Sequence, residues 1–303
     1  MTPKIIPATA AMAKANDIEI CYEMFGDASA PPLFLIMGLG AQMIVWDDLF
    51  CTQLAERGFH VIRFDNRDVG LTTNFDNAGL PRMNRLMEAQ AKGEAMEVPY
   101  KLVDMAADSV GLLDTLKINS AHIVGVSMGG MIAQTIAIHH PNRIRTLTSI
   151  MSNTGEQGIG PTDPEVLKVL YTPTPTDRAG FIENYVKTRK LIGGKGFPIN
   201  EERERDVAGR IFERGVNPAG VTRQFAAIMA SGSRNEALKS LKVPTLVIHG
   251  DEDPLVPVAG GIATAKAIPG ARLLIVKGMG HGLPAPVWPQ IIEAIAGHAV
   301  VDS

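Results

Sequence analysis

The 303-residue chain is poor in the features that mark several functional classes. It has two cysteines, Cys21 in a predicted strand and Cys51 in a predicted helix, with no CxxC pair or Cys/His cluster near either. A disulfide framework is excluded, and both are expected to be buried reduced thiols. Charge excess is missing too: 29 Lys and Arg face 32 Asp and Glu, a net −3. Nothing there would neutralise a phosphate backbone or an anionic membrane, so neither nucleic acid nor membrane is an expected partner. No apolar run reaches the ~18 residues of a membrane span. Pro3 and Pro7 interrupt the apolar stretch that a secretory signal needs, so the default compartment is the cytoplasm. None of the seven histidines stands in an HExxH or Cys/His spacing, so no metal is expected. Aromatic rings are scarce as well, with ten Phe, four Tyr and two Trp against 14 Met. Flexible thioethers do part of the filling that rings usually do.

What is present is an ordinary globular balance, 46% hydrophobic and 20% charged. The length suits two domains or one large α/β unit carrying an insertion. Apolar runs at Ile18–Met24, Pro32–Met37, His60–Asp65, Ala121–Ser127, Ile144–Met151, Pro244–Gly250 and Ala271–Lys277 predict strands. Their near-continuous apolar character suits a mostly parallel sheet covered on both faces. Leu102, Ala106, Val110, Leu113 and Leu116, and later Val287, Ile291, Ile292 and Ile295, recur at helical spacing and predict covering helices.

The alternation stops after Met151. From there to about Ser240 the signals are helix starts, at Asp163–Pro164, Thr176, Asn200 and Asn217–Pro218. Phe181, Tyr185, Thr188 and Ile192, then Val207 and Ile211, then Val221, Phe225 and Ile228 are the expected buried faces. The expected division is an α/β core of residues 1–152 and 241–303, with a helical cap, 153–240, inserted between core strands. The charge run Glu201–Asp206 reads as a solvated helix face. Arg82–Glu97, with Met83, Met87 and Met96, reads as a second insertion folding against the cap.

The sharpest motif is Gly125-Val126-Ser127-Met128-Gly129, after a predicted strand and before a predicted helix. G-x-S-x-G has a physical reason in that setting. The serine occupies a strained turn, and the glycines remove β-carbons where strand and helix cross. A nucleophilic serine needs a base and the base needs an orienting acid, in the chain order Ser, acid, His. One late strand runs into Asp251-Glu252-Asp253-Pro254 and the next into Gly278-Met279-Gly280-His281-Gly282. Carboxyl ends of parallel strands share one edge, so these segments can meet Ser127. The oxyanion would need two N–H donors, expected from Met128 and from the loop Met37-Gly38-Leu39-Gly40, with Leu39 the best second donor. Met37, Gly38 and Met279, on the same loops, are the expected substrate contacts.

Together these motifs resemble the α/β-hydrolase fold superfamily over essentially the whole chain. Asp65-Asn66-Arg67-Asp68-Val69-Gly70-Leu71-Thr72 is similar to the superfamily's D-x-R-G-x-G-x-S stretch, with Asp68 where glycine is usual. Met37 stands where the common H-G-x motif has a histidine that braces the loop. Met37-Gly38, D-x-R-D-x-G, G-x-S-M-G and Gly278–Pro284 in combination are similar to aclacinomycin methylesterase-like hydrolases. The resemblance implies Asp65 and Arg67 as fold determinants, and a Ser127-His281-Asp253 triad with the acid at the Asp-Pro position rather than at Asp251. It further implies hydrolysis of a small-molecule apolar carboxylic ester, methyl esters included, without a cofactor. Lactonase, carbon–carbon bond hydrolase, cofactor-free perhydrolase and non-catalytic receptor share the scaffold and stay open. The methionines at positions 37, 128 and 279 and in the insertions predict a soft pocket for bulky apolar esters.

Overall fold

The computed structural model describes residues 10–170, 172 and 174–299. Pro3 and Pro7 lie outside the described residues. Eight strands build one sheet: β1 (Ala11–Ala15), β2 (Ile18–Phe25), β3 (Pro32–Ile36), β4 (His60–Phe64), β5 (Ala121–Val126), β6 (Ile144–Ile150), β7 (Thr245–Gly250) and β8 (Arg272–Val276). Their order is β1-β2-β4-β3-β5-β6-β7-β8, antiparallel at β1-β2 and β2-β4 and parallel everywhere else. β1 is not among the predicted strands, because AMAKA lacks the β-branched and aromatic residues that signal one. It exists by pairing with β2 across the two-residue turn Asn16-Asp17, both at positive φ (47° and 64°), the geometry of a tight hairpin.

The connections begin with α1 (Asp48–Glu56), α2 (Met83–Lys92), α3 (Leu102–Thr115) and α4 (Met128–His139). Between β6 and β7 come α5 (Pro164–Leu170), α6 (Arg178–Ile192), α7 (Glu201–Arg214), α8 (Pro218–Ser231) and α9 (Asn235–Leu238). The chain closes with α10 (Val258–Ala267) and α11 (Trp288–Ala299). Alternate strand residues feed two cores. Phe34, Ile36, Ile123 and Leu147 pack with α3 and α4, while Leu33, Leu35, Val124 and Ile248 pack with α1 and α11. β4, β5 and β7 are buried along their whole length. β8 corrects the expectation of two covered faces: as the terminal strand it leaves Leu273 and Ile275 exposed, at 41% and 38%.

The insertion helices make a third, smaller core in which Phe181, Ala208 and Ile211 pack against Cys21, Met43 and Ile44. Both cysteines are buried and free, and burial pushes the Cys51 thiol up to about 12. Asp177, not Thr176, caps α6, while Asn200 and Asn217 cap α7 and α8 as expected. The run Glu201–Asp206 is less solvated than expected, since Glu201 and Glu204 pair with Lys190 and Arg189 of α6, and Arg205 with Glu183.

The larger correction concerns α8. The expected apolar face, Val221, Phe225 and Ile228, is only half-buried, and Arg223 and Gln224, at 1% and 0% exposure, are buried with Ala226 and Ala227. Burial of the two polar groups is tolerable only with partners. Arg223 donates to Asp68 Oδ2 and Oδ1 at 2.8 and 2.7 Å and to Asp76 Oδ1 at 3.0 Å. Asp68 holds φ 69°, the conformation glycine would take there, and uses its carboxylate as the anchor for this helix. Burial would raise the Asp68 pKa, but Arg223 and the Phe75 N–H outweigh it and hold the carboxyl below its usual range.

Candidate active site

β5 ends in a turn that glycine makes possible. A Cβ on Gly125 would stand 2.1 Å from the Gly129 carbonyl oxygen, and one on Gly129 would stand 2.1 Å from that of Ile36. Strand and helix therefore cross at backbone contact. Ser127 between them takes φ 56° and ψ −120°, which an L-residue holds only where its surroundings impose it. Its N–H donates to Ile150 O at 2.9 Å, and its C=O accepts from Ser152 Oγ at 2.8 Å. Gly38 faces it closely, since a Cβ there would lie 3.1 Å from Ser127 Cβ.

Asp253 follows β7 and His281 follows β8, and they meet with His281 Nδ1 2.7 Å from Asp253 Oδ2. The carboxylate accepts, so Nδ1 carries a proton, and it is Nε2 that holds the lone pair in the neutral ring. Asp253 Oδ1 accepts from the N–H groups of Leu255 and Val256, each at 2.9 Å. His249, fully buried in β7, sets Nε2 at 2.8 Å from Val256 O and 3.5 Å from Asp253 Oδ2. Burial alone would raise the Asp253 pKa. The His281 charge and the bonds from His249, His281 and the Val256 N–H outweigh it and hold the carboxyl at about 2. Asp251 serves the loop instead, where its Oδ1 accepts from Gly278 N–H at 2.6 Å and shapes the segment that carries His281.

β5, β6, β7 and β8 are consecutive and parallel, so Ser127, Asp253 and His281 come to one edge of the sheet. Among the described residues no hydrogen bond joins Ser127 to His281. Such bonds often tighten only when substrate binds. The His281 loop is also held from the insertion side. His281 N–H donates to Ile192 O at 2.6 Å, and Gly280 N–H to Gly193 O at 3.0 Å.

Met128 N–H opens α4 and has no acceptor within the helix. In the loop after β3, Gly38 O accepts from Ala41 N–H at 3.2 Å and Gly40 N–H donates to Gln224 Oε1 at 2.8 Å. Leu39 N–H has no acceptor among the described residues. Asn66 Nδ2 donates to Met37 O at 2.9 Å. These contacts brace the loop where Met37 has replaced a histidine. Of the expected substrate contacts, Gly38 faces Ser127 directly. Met37 and Met279 do not form an open wall: at 4% and 0% exposure they sit in the core cluster beneath the loops, where apolar packing is denser. Met128 is likewise buried at 1%, and Met87 points to solvent at 43%. The methionines are mainly core filler.

Sequence reasoning passed over Asn66, Gln224 and the turn after Ile192. Asn66 stood inside a recognised motif, whereas nothing local marks Gln224. Among the described residues no group of three or more His, Cys, Asp or Glu is placed to hold a metal ion, and no helix is long and apolar enough to cross a membrane.

A family model of the alpha/beta hydrolase fold matches residues 31–284. The chain belongs to that family. It is 28% identical to the rhodomycin D methylesterase DauP of Streptomyces sp. (strain C5), over 95% of this chain and 97% of that one. It is 27% identical to 3-oxoadipate enol-lactonase 2 of Acinetobacter baylyi, over 82% and 80% of the two chains. Among solved structures, the esterase EaEST of Exiguobacterium antarcticum superposes with a TM-score of 0.75 at 20% identity, over 96% of this chain and 100% of that one. That last likeness speaks for the fold. This chain is therefore an α/β hydrolase with hydrolases among its relatives.

Proposed function

We propose that this hydrolase is a serine esterase whose substrates are small-molecule carboxylic esters of apolar acids, methyl esters in particular. The observation that carries the reading is the Asp253–His281 pair at 2.7 Å on the sheet edge where Ser127 sits in its strained turn. Ser127 Oγ attacks the ester carbonyl as His281 Nε2 takes its proton. Asp253, ionised, holds the imidazole by Nδ1–H and stabilises the imidazolium. The N–H groups of Met128 and Leu39 receive the oxyanion. His281 then returns the proton to the leaving alcohol, and activates the water that cleaves the acyl-enzyme. Residues 153–240 act as a cap over this edge of the core, 1–152 and 241–303.

The methylesterase relative favours a methyl ester, and the enol-lactonase relative puts lactones in the same test. Turnover is measured on p-nitrophenyl acetate, a bulky aryl methyl ester and a simple γ-lactone. The methyl ester is expected to be hydrolysed, and Ser127→Ala to lower kcat by a factor on the order of 10⁴ or more. Near-wild-type turnover in that variant, or hydrolysis of the lactone alone, overturns the assignment.

A further inference from the structure

Gln224 is an unusual residue to find at 0% exposure on an insertion helix. If it served only to pack, an aliphatic side chain would fill the space without desolvating an amide. Its amide instead bridges two backbone loops distant in sequence. Oε1 accepts from Gly40 N–H at 2.8 Å, and Nε2 donates to Arg67 O at 2.7 Å. One turn earlier, Val221 presses on the same place, since a Cβ on Gly40 would lie 2.7 Å from Val221 Cγ2.

Residues 38–41 form a turn closed by the Ala41 N–H to Gly38 O bond at 3.2 Å, with Gly40 at φ 65°. The central peptide of such a turn, here Leu39–Gly40, is the one that flips between turn types, and glycine lowers the barrier to both forms. Gln224 holds its N–H. The preceding peptide, Gly38–Leu39, has its C=O committed to Ala41, and a trans peptide directs its N–H the opposite way. Gln224 also occupies the Gly40 N–H, which leaves the Leu39 N–H as the donor this turn can offer to a substrate oxygen. α8 is itself immobilised by Arg223 on Asp68 and by Gly220, which packs on the Asp68 carbonyl.

We propose that Gln224 is a positioning residue of the esterase: from the cap, it locks the turn after β3 in the one peptide orientation that leaves Leu39 N–H free to stabilise the oxyanion. The inference rests on the proposed serine mechanism. It assigns to the cap a part in transition-state stabilisation in addition to covering the substrate. Because the oxyanion forms in the transition state and tetrahedral intermediate and not in the bound ester, loss of this lock lowers kcat and leaves KM nearly unmoved.

The test compares Gln224→Met, of similar size without an acceptor, Gln224→Asn, polar but too short to reach Gly40, and Gln224→Glu, which keeps the acceptor. Rates are expressed per active serine, counted by stoichiometric labelling with an organophosphonate. The expected result is a kcat lowered about 10- to 100-fold in Met and Asn, with KM within about threefold. Glu, which keeps the acceptor for Gly40 N–H and loses the donor to Arg67 O, is expected to fall between wild type and Met. If Met fails to fold, Asn carries the same prediction. Wild-type kcat per labelled serine in either variant overturns the inference, as does a raised KM at unchanged kcat, the mark of a mere pocket-shaping role. Turnover persisting in Ser127→Ala would instead remove the serine mechanism, and this inference with it.

Discussion

Replacing Ser127 by glycine removes the hydroxyl and the backbone strain together, whereas Ser127→Ala removes the hydroxyl and keeps the strain. At φ 56° and ψ −120° an L side chain costs on the order of 1–3 kcal/mol. Glycine adopts that conformation freely, but the freedom it adds to the unfolded chain offsets roughly 0.4–1 kcal/mol of the gain. The Ser127 side chain makes no capping bond to α4, so its loss breaks no helix cap in either variant. The glycine variant should therefore be about 1 kcal/mol more stable than the alanine variant, with both inactive. Equilibrium urea unfolding reads this as a higher midpoint at unchanged slope, accompanied by a rise of roughly 2 °C in Tm. A glycine midpoint equal to or below that of alanine refutes the claim that this turn stores strain imposed by Gly125, Gly129 and the strand–helix crossing.

Two further outcomes follow from the buried charges. The Asp253 carboxyl, held at about 2 against an ordinary 3.8, contributes stability that is complete above the unfolded value and is lost as pH falls through the folded one. That contribution is roughly 2 kcal/mol, and about half of it is gone at pH 3. Urea midpoints of wild type and Asp253→Asn, compared from pH 6 to pH 3, should converge by that amount, and a constant difference counts against an ionised, paired Asp253. Arg223→Met leaves the fully buried Asp68 without its guanidinium and should destabilise by about 3 kcal/mol. Asp68→Gly, which removes the stranded charge and suits φ 69°, should restore part of the loss in the double variant, and strict additivity of the two changes would count against a direct pair.

Much of the site was legible because its signals are local. The G-x-S-x-G run, the Asp-Pro loop and His281 between glycines each belong to a strand end, and parallel strands bring their carboxyl ends to one edge whatever packs above them. The choice between Asp251 and Asp253 was open on spacing alone. It turns on which carboxylate reaches Nδ1 of His281 and which reaches the Gly278 N–H, a matter of two residues of loop path. β1 went unread because an Ala- and Lys-containing segment becomes a strand only through its partner. On α8 the periodicity points to Val221, Phe225 and Ile228, which are half-buried, and misses the polar part of the buried face, since it assumes that burial follows hydrophobicity. Arg223 and Gln224 overturn that assumption by finding Asp68, Gly40 and Arg67 across the fold.

The chain alone carries seven of the eight strands and the order of Ser127, Asp253 and His281, both of them functions of neighbours in sequence. Tertiary structure decided how the loop after β3 is braced without a histidine, where the methionines go and how the insertion is fastened. The fastening of the insertion, and with it the hold on Gly40, depends on polar groups paired across more than a hundred residues, and a buried polar group becomes favourable only once its distant partner is in place.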